Sequence, residues 1–211
     1  GHDSRIYQAK FSGSTWNYTN VAWLTTAGTT RCAGYGPNFN SFGASADGSK
    51  WIAGVRDESC IYTSVNSGDT WSNSGAVGGT NWGSAISSDG LIKVTSNSNG
   101  KVYRNSGSGW SQTTGTGLPG TGLSGMACDA TCSKIVTYVY QGKIYISSDS
   151  GTSWSVSNSS NQNWSDISMS TDGNVIAATN GTDVYVSTDS GENWTGQGLS
   201  GGGWVSVTIS G

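Results

Sequence analysis

Charge is scarce in this chain. Asp, Glu, Lys and Arg make up 11% of its 211 residues, and the formal net charge is −3. No basic surface is available to neutralise a phosphate backbone, so nucleic acid is excluded as a partner. Histidine is nearly absent. The single one, His2, sits at the N-terminal end, which leaves no support for a Ser-His-Asp triad or a His-ligated metal. No apolar run is long enough to cross a bilayer, so no membrane span is expected, and the first residues carry no signal-peptide pattern. Proline is down to 2 residues, whereas glycine reaches 33. That combination suits many tight turns between short strands.

Against this background one unit recurs. From Trp164 it runs Trp-Ser-Asp-Ile-Ser-Met-Ser-Thr-Asp172-Gly173, then Val175-Ile-Ala-Ala, Val184-Tyr-Val-Ser187, and Ser187-Thr-Asp189-Ser-Gly191-Glu-Asn-Trp194. The same order starts at Phe42, Trp82 and Leu123, and begins again at Trp204, giving spacings of 40, 41, 41 and 40 residues. A period in this range marks a repeat architecture whose units cannot bury a core alone. Each unit reads as four short strands rich in Ile, Val, Tyr and Thr. Four-stranded units at this period predict an all-β fold, a five-bladed β-propeller of antiparallel blades. The unit that starts at Trp204 lacks its second half, which is found at the N-terminus in Arg5-Ile6-Tyr7 and Ser12-Gly13-Ser-Thr-Trp16. The reading is therefore one domain over 1–211. Blade one comes from 204–211 plus 4–22, an insertion covers 23–41, and blades two to five start at 42, 82, 123 and 164. Sharing a blade between the chain ends closes the ring and removes open sheet edges.

Four cysteines allow three pairings. Cys128 and Cys132 flank the short turn Asp129-Ala-Thr and suit a local clasp, which leaves Cys32 with Cys60. Paired cysteines in a polar, weakly charged chain point to a secreted or extracellular setting. Sequons at Asn17, Asn158, Asn163, Asn180 and Asn193 matter only in a eukaryotic secretory pathway.

Ser147-Ser-Asp149-Ser-Gly151-Thr-Ser-Trp154 and Ser187-Thr-Asp189-Ser-Gly191-Glu-Asn-Trp194 resemble the Asp-box, or BNR repeat, Ser-x-Asp-x-Gly-x-Thr-Trp. Ser64-Val-Asn66-Ser-Gly68-Asp-Thr70-Trp71 matches with Asn for Asp, and the segments ending at Trp110 and Trp16 are degraded copies. The resemblance implies a propeller similar to sialidases and repeat lectins. Physically the box is a staple: a carboxylate or amide accepts backbone N–H groups, glycine supplies unusual angles, and Trp plugs the turn. Asn66, Trp71, Asp149, Trp154, Asp189 and Trp194 are accordingly read as structural.

In such propellers the box lies on the face away from the ligand. The opposite, front face would then carry the second-to-third-strand turns near Arg56, Asn97, Tyr140 and Asn180, together with the connections leading into Trp82, Trp164 and Trp204. Aromatic rings beside planar amides suit the C–H faces and hydroxyl edges of sugars. These seven residues are the candidate ligand-binding set; for each Trp, packing between blades stands as the alternative. The insertion, with Arg31, Tyr35 and Phe39, would be pinned to the front by Cys32 and Cys60. Asp3, Arg5, Arg56, Asp57 and Glu58 gather nearby as a charged rim.

Sialidase chemistry requires an arginine triad, a Tyr–Glu pair and an Asp. Here only Arg5, Arg31, Arg56 and Arg104 occur, and Tyr7 replaces the proline expected after Arg5-Ile6. Any other glycosidase needs two facing carboxylates, for which Asp57 or Glu58 with Asp166 is the best pair. The expectation is a secreted carbohydrate-binding, lectin-like propeller without catalysis, needing no cofactor or metal, with glycans or polysaccharide as partners. A glycoside hydrolase using that carboxylate pair is one alternative and a protein-interaction scaffold is another, because fold does not fix function.

Overall fold

The computed structural model describes residues 7–12, 15–20, 39–56, 59–199 and 201–210. The first described strands form a hairpin, β1 (Tyr7–Ser12) with β2 (Thr15–Asn20). Four four-stranded antiparallel meanders follow. The first holds β3 (Phe39–Ala44), β4 (Trp51–Val55), β5 (Cys60–Ser64) and β6 (Ser72–Ala76). The second holds β7 (Asn81–Ile86), β8 (Lys93–Asn97), β9 (Val102–Asn105) and β10 (Trp110–Gln112). The third holds β11 (Leu123–Cys128), β12 (Ile135–Val139), β13 (Ile144–Ser147) and β14 (Ser155–Val156). The fourth holds β15 (Asp166–Met169), β16 (Ile176–Thr179), β17 (Val184–Ser187) and β18 (Thr195–Gly196).

The first strands of successive sheets lie side by side, β3 on β7, β7 on β11 and β11 on β15. The core accordingly sits between sheets rather than within them. Ile52 and Ile61 meet Ile86 and Tyr103, Val94 and Val102 meet Leu123 and Ile135, and Val136 and Ile144 meet Ile167 and Ile176. This is the dependence on neighbours that the repeat demands. Close approach also requires glycine. A Cβ at Gly83 would stand 2.7 Å from the Met126 nitrogen, so only a bare backbone fits between β7 and β11.

Three box turns share one geometry. In each, Asn66, Asp149 or Asp189 accepts the hydroxyl of the preceding Ser64, Ser147 or Ser187 at 2.7–3.0 Å. The same side chain accepts the backbone N–H four residues ahead at 2.8–3.0 Å. The serine oxygen accepts the glycine N–H, and the Trp indole N–H closes the turn on the glycine carbonyl at 2.8–3.1 Å. The box serines Ser67, Ser150 and Ser190 donate their N–H to the β3–β4, β11–β12 and β15–β16 turns of their own sheets. Boxes and first hairpins thus occupy one face. There a backbone belt links the sheets, from Ala46 to Ser88, Ser88 to Ala130 and Ala130 to Thr171.

Within the first hairpins Gly48, Gly90 and Gly173 take φ of 67°, 69° and 69°. At the matching place in the third sheet stands Cys132 with φ 50°, bonded to Cys128. The disulfide holds a side chain in a conformation glycine usually occupies. Cys60 is disulfide-bonded as well; Cys32, the partner assigned from the sequence, lies outside the described residues.

Two features depart from the sequence reading. The first inner strand begins at Phe39, so residues 39–41 of the expected insertion belong to β3. Residues 201–210 carry no strand where 206–210 was expected to form one. Their N–H groups are captured by side chains of β15 instead, Val207 by Asp166 at 2.9 Å and Ile209 by Ser168 at 3.0 Å.

The boxes make a pH prediction. Hydrogen bonds from Ser153 pull Asp149 from 3.8 to about 2, and those from Asn193 do the same to Asp189. A depressed folded-state value means stability is fully present above about pH 4 and is lost as pH falls through about 2. Asn66 performs the same structural task without titrating. The double variant Asp149→Asn/Asp189→Asn should therefore melt at nearly the wild-type temperature at pH 7 and lose less between pH 4 and 2. Parallel melting curves across that window would overturn the assignment.

Candidate functional site

On the face opposite the boxes the inner strands surround a cavity of about 660 Å³. A shared irregularity builds it. The ladders of β3, β7 and β11 skip one residue, between Phe39 and Ser41, Asn81 and Gly83, and Leu123 and Gly125. The skipped residues are Asn40, Trp82 and Ser124, and all three line the cavity. A bulge re-aims a side chain; here it turns one residue per sheet toward the axis.

The ladder also corrects the alignment of the repeats. Ser41, Gly83, Gly125 and Asp166 pair with Gly54, Ser96, Tyr138 and Thr179, so these four are equivalent. One place earlier stand Asn40, Trp82, Ser124 and Ser165, and two places earlier Phe39, Asn81, Leu123 and Trp164. Trp82 and Trp164, equated from sequence spacing, are therefore one position apart in depth. Trp82 is half-buried and lines the cavity, with the Arg56 guanidinium 4.7 Å from its ring centroid. Trp164 is 1% exposed. Its indole N–H donates to the Gly142 carbonyl at 2.9 Å and its ring meets Tyr185 edge-on at 5.1 Å, so it closes the wall from behind.

Asp166 projects where the other sheets have Gly or Ser. Its carboxylate accepts the Ile167 N–H at 2.9 Å, the Ser206 hydroxyl at 2.7 Å and the Val207 N–H at 2.9 Å. Across from it Tyr138 is 5% exposed. Burial, aided by the Asp166 charge, pushes its hydroxyl well above the usual tyrosine range, so it remains a donor. Space for that ring comes from Gly125, where a Cβ would stand 2.5 Å from Tyr138 Cε1. Phe42 and Tyr140, 47% and 57% exposed, complete the aromatic part of the wall.

The cavity thus gathers Trp82, Tyr140, Trp164 and Asp166 from the sequence candidates, with Arg56 against Trp82. Two others serve their own turns. Asn97 is fully buried, donates to the Gly78 carbonyl and accepts the N–H groups of Asn99 and Lys101 at 3.1 Å each. Asn180 accepts from Thr182 and Asp183 at 3.0 and 2.8 Å. Trp204, 42% exposed, lies outside the lining; its carbonyl accepts from Ser165 and Thr179. Asp57 and Glu58, like Asp3, Arg5, Arg31 and Tyr35, lie outside the described residues. Asn40, Ser124, Ser165, Tyr138 and Ser206 were missed. The bulge that delivers the first two leaves no mark in the hydrophobic pattern. Among the described residues no cluster of three His, Cys, Asp or Glu could hold a metal, and no helix is long and apolar enough to cross a membrane.

Inner strands side by side, meandering sheets and a cavity framed by the inner strands define a β-propeller. Solved structures agree on this fold. A chain of the nidogen/laminin complex superposes with a TM-score of 0.72 at 11% identity, covering 98% of this chain and 79% of that one. YCF48 bound to D1 peptide gives 0.59 at 13%, covering 76% and 54%. A GH74 enzyme of Niastella koreensis gives 0.56 at 21%, covering 74% of this chain, which spans only 24% of that enzyme. No family model and no curated protein matches the sequence.

Proposed function

We propose that this propeller binds carbohydrate in the front cavity without catalysing a reaction. The observation that carries the reading is the lining itself. Rings of Trp82, Phe42 and Tyr140 stand beside an acceptor carboxylate, a buried phenol and several serine hydroxyls. Rings of this kind stack on sugar C–H faces, and the polar groups fix hydroxyls. The Asp166 oxygens already accept three hydrogen bonds, which suits an acceptor for hydroxyls rather than a proton donor. The Cys128–Cys132 disulfide fits an oxidising, extracellular setting. A protein-interaction scaffold is the second reading, favoured by exposed Leu199, Trp204 and Val205.

The test is a glycan array with and without calcium, followed by titration of the best neutral oligosaccharide. Tyr140→Ala should weaken binding roughly tenfold, about 1.4 kcal/mol, with the fold intact. An empty array, or unchanged affinity in Tyr140→Ala, would remove the reading. Release of reducing ends would replace it with the hydrolase.

A further inference from the structure

A second depression, of about 320 Å³, is lined by Gln141, Asn161, Gln162 and Asn163. Every lining side chain is a carboxamide, and none is charged or apolar. It abuts the axial cavity twice along the chain. Tyr140 lines the cavity and Gln141 the depression, and Asn163 of the depression precedes Trp164 of the cavity wall.

The depression is built rather than incidental. Gln162 is anchored by its amide to Ser160 at 3.1 Å and Tyr185 at 3.2 Å, and it accepts from Asn180 at 3.0 Å. Its backbone N–H bonds the Gly142 carbonyl at 3.1 Å, which ties the segment to the β12–β13 turn. These bonds hold one amide rigid while Gln141, Asn161 and Asn163 stay exposed. Gln141 itself is held at φ 61°. Glycine or asparagine is the usual occupant of such a turn position.

We propose that the ligand is an extended, uncharged oligosaccharide that runs from the axial cavity over the Tyr140–Gln141 turn into this amide subsite. The inference rests on the carbohydrate reading of the cavity. Carboxamides offer paired donors and acceptors to neighbouring hydroxyls, and the absence of ionisable groups in the subsite selects against charged sugars. A peptide chain is a poorer occupant, since side-chain pockets and a free strand edge are what peptide docking uses. The depression has no apolar wall, and the Gln162 N–H is already spent on Gly142.

The experiment is calorimetric titration with linear β-1,3- and β-1,4-linked gluco-, manno- and xylo-oligosaccharides of two and six residues. The hexasaccharide should bind at least tenfold more tightly than its disaccharide. Gln141→Gly/Asn163→Ala should erase that gain and leave disaccharide affinity unchanged; the glycine suits the left-handed turn, so the melting temperature should not fall. Equal affinities for both lengths, or a gain that survives the double variant, overturn the extended-ligand inference alone. Binding by no probe of either length overturns the carbohydrate reading and this inference together. Capture of extended peptides in place of glycans would do the same.

Discussion

Trp154→Ala should lower stability by about 3–5 kcal/mol, the range for removing a buried Trp. The ring is 7% exposed and packs with Leu118, Met126 and Ile135 between the second and third sheets. Its indole N–H closes the box on Gly151 at 3.1 Å, and its backbone N–H reaches Thr116 at 2.8 Å. Truncation would therefore empty the space between two sheets and strip the packing from Leu118, while the backbone bond to Thr116 remains. A Cβ at Gly117 would collide with the Trp154 carbonyl, which shows how tightly that loop is seated. Trp194 closes the corresponding box in the fourth sheet but is only half-buried, so Trp194→Ala should cost distinctly less. Denaturant unfolding of both variants decides the matter. A cost under about 1 kcal/mol for Trp154→Ala would mean the box is ornamental, against the packing argument.

What the sequence made legible follows from how local the chemistry is. A box spans eight residues, and the bonds that staple its turn run between those residues, so its staple role was legible in the sequence. The Cys128–Cys132 clasp was legible for the same reason. Depth along the inner strand was not. The bulges at Asn40, Trp82 and Ser124 shift the register by one residue without changing composition, and a one-residue shift moves a side chain to another face. Aligning Trp82 with Trp164 by apolar character therefore equated a cavity residue with a core residue. Amides misled in a second way. Asn97 and Asn180 have the composition of a sugar site, yet an asparagine in a tight turn first satisfies nearby backbone groups. Asn161 and Asn163 flank Gln162, whose bonds anchor that segment, and Gln141 stays exposed on the facing β12–β13 turn.

The same offset separates two tryptophans that sequence spacing treats alike. Trp82→Ala removes a half-buried ring that lines the cavity beneath Arg56. It should weaken glycan binding by about 2 kcal/mol, roughly thirtyfold, as expected for an aromatic anchor. Its effect on folding should stay near 1 kcal/mol or below, because little core depends on it. Trp164→Ala removes a ring with 1% exposure that touches Tyr185 and Trp194 at centroid distances of 5.1 and 6.2 Å. It also removes one of the two donors to the Gly142 carbonyl, which keeps the Gln162 N–H, so the loss of about 3–5 kcal/mol of stability comes chiefly from the emptied core. Binding by the folded fraction should fall less than in Trp82→Ala. Unfolding midpoints and titrations on the two variants give four numbers. The reverse pattern, with Trp164 governing affinity and Trp82 stability, would show that spacing rather than ladder register locates the site.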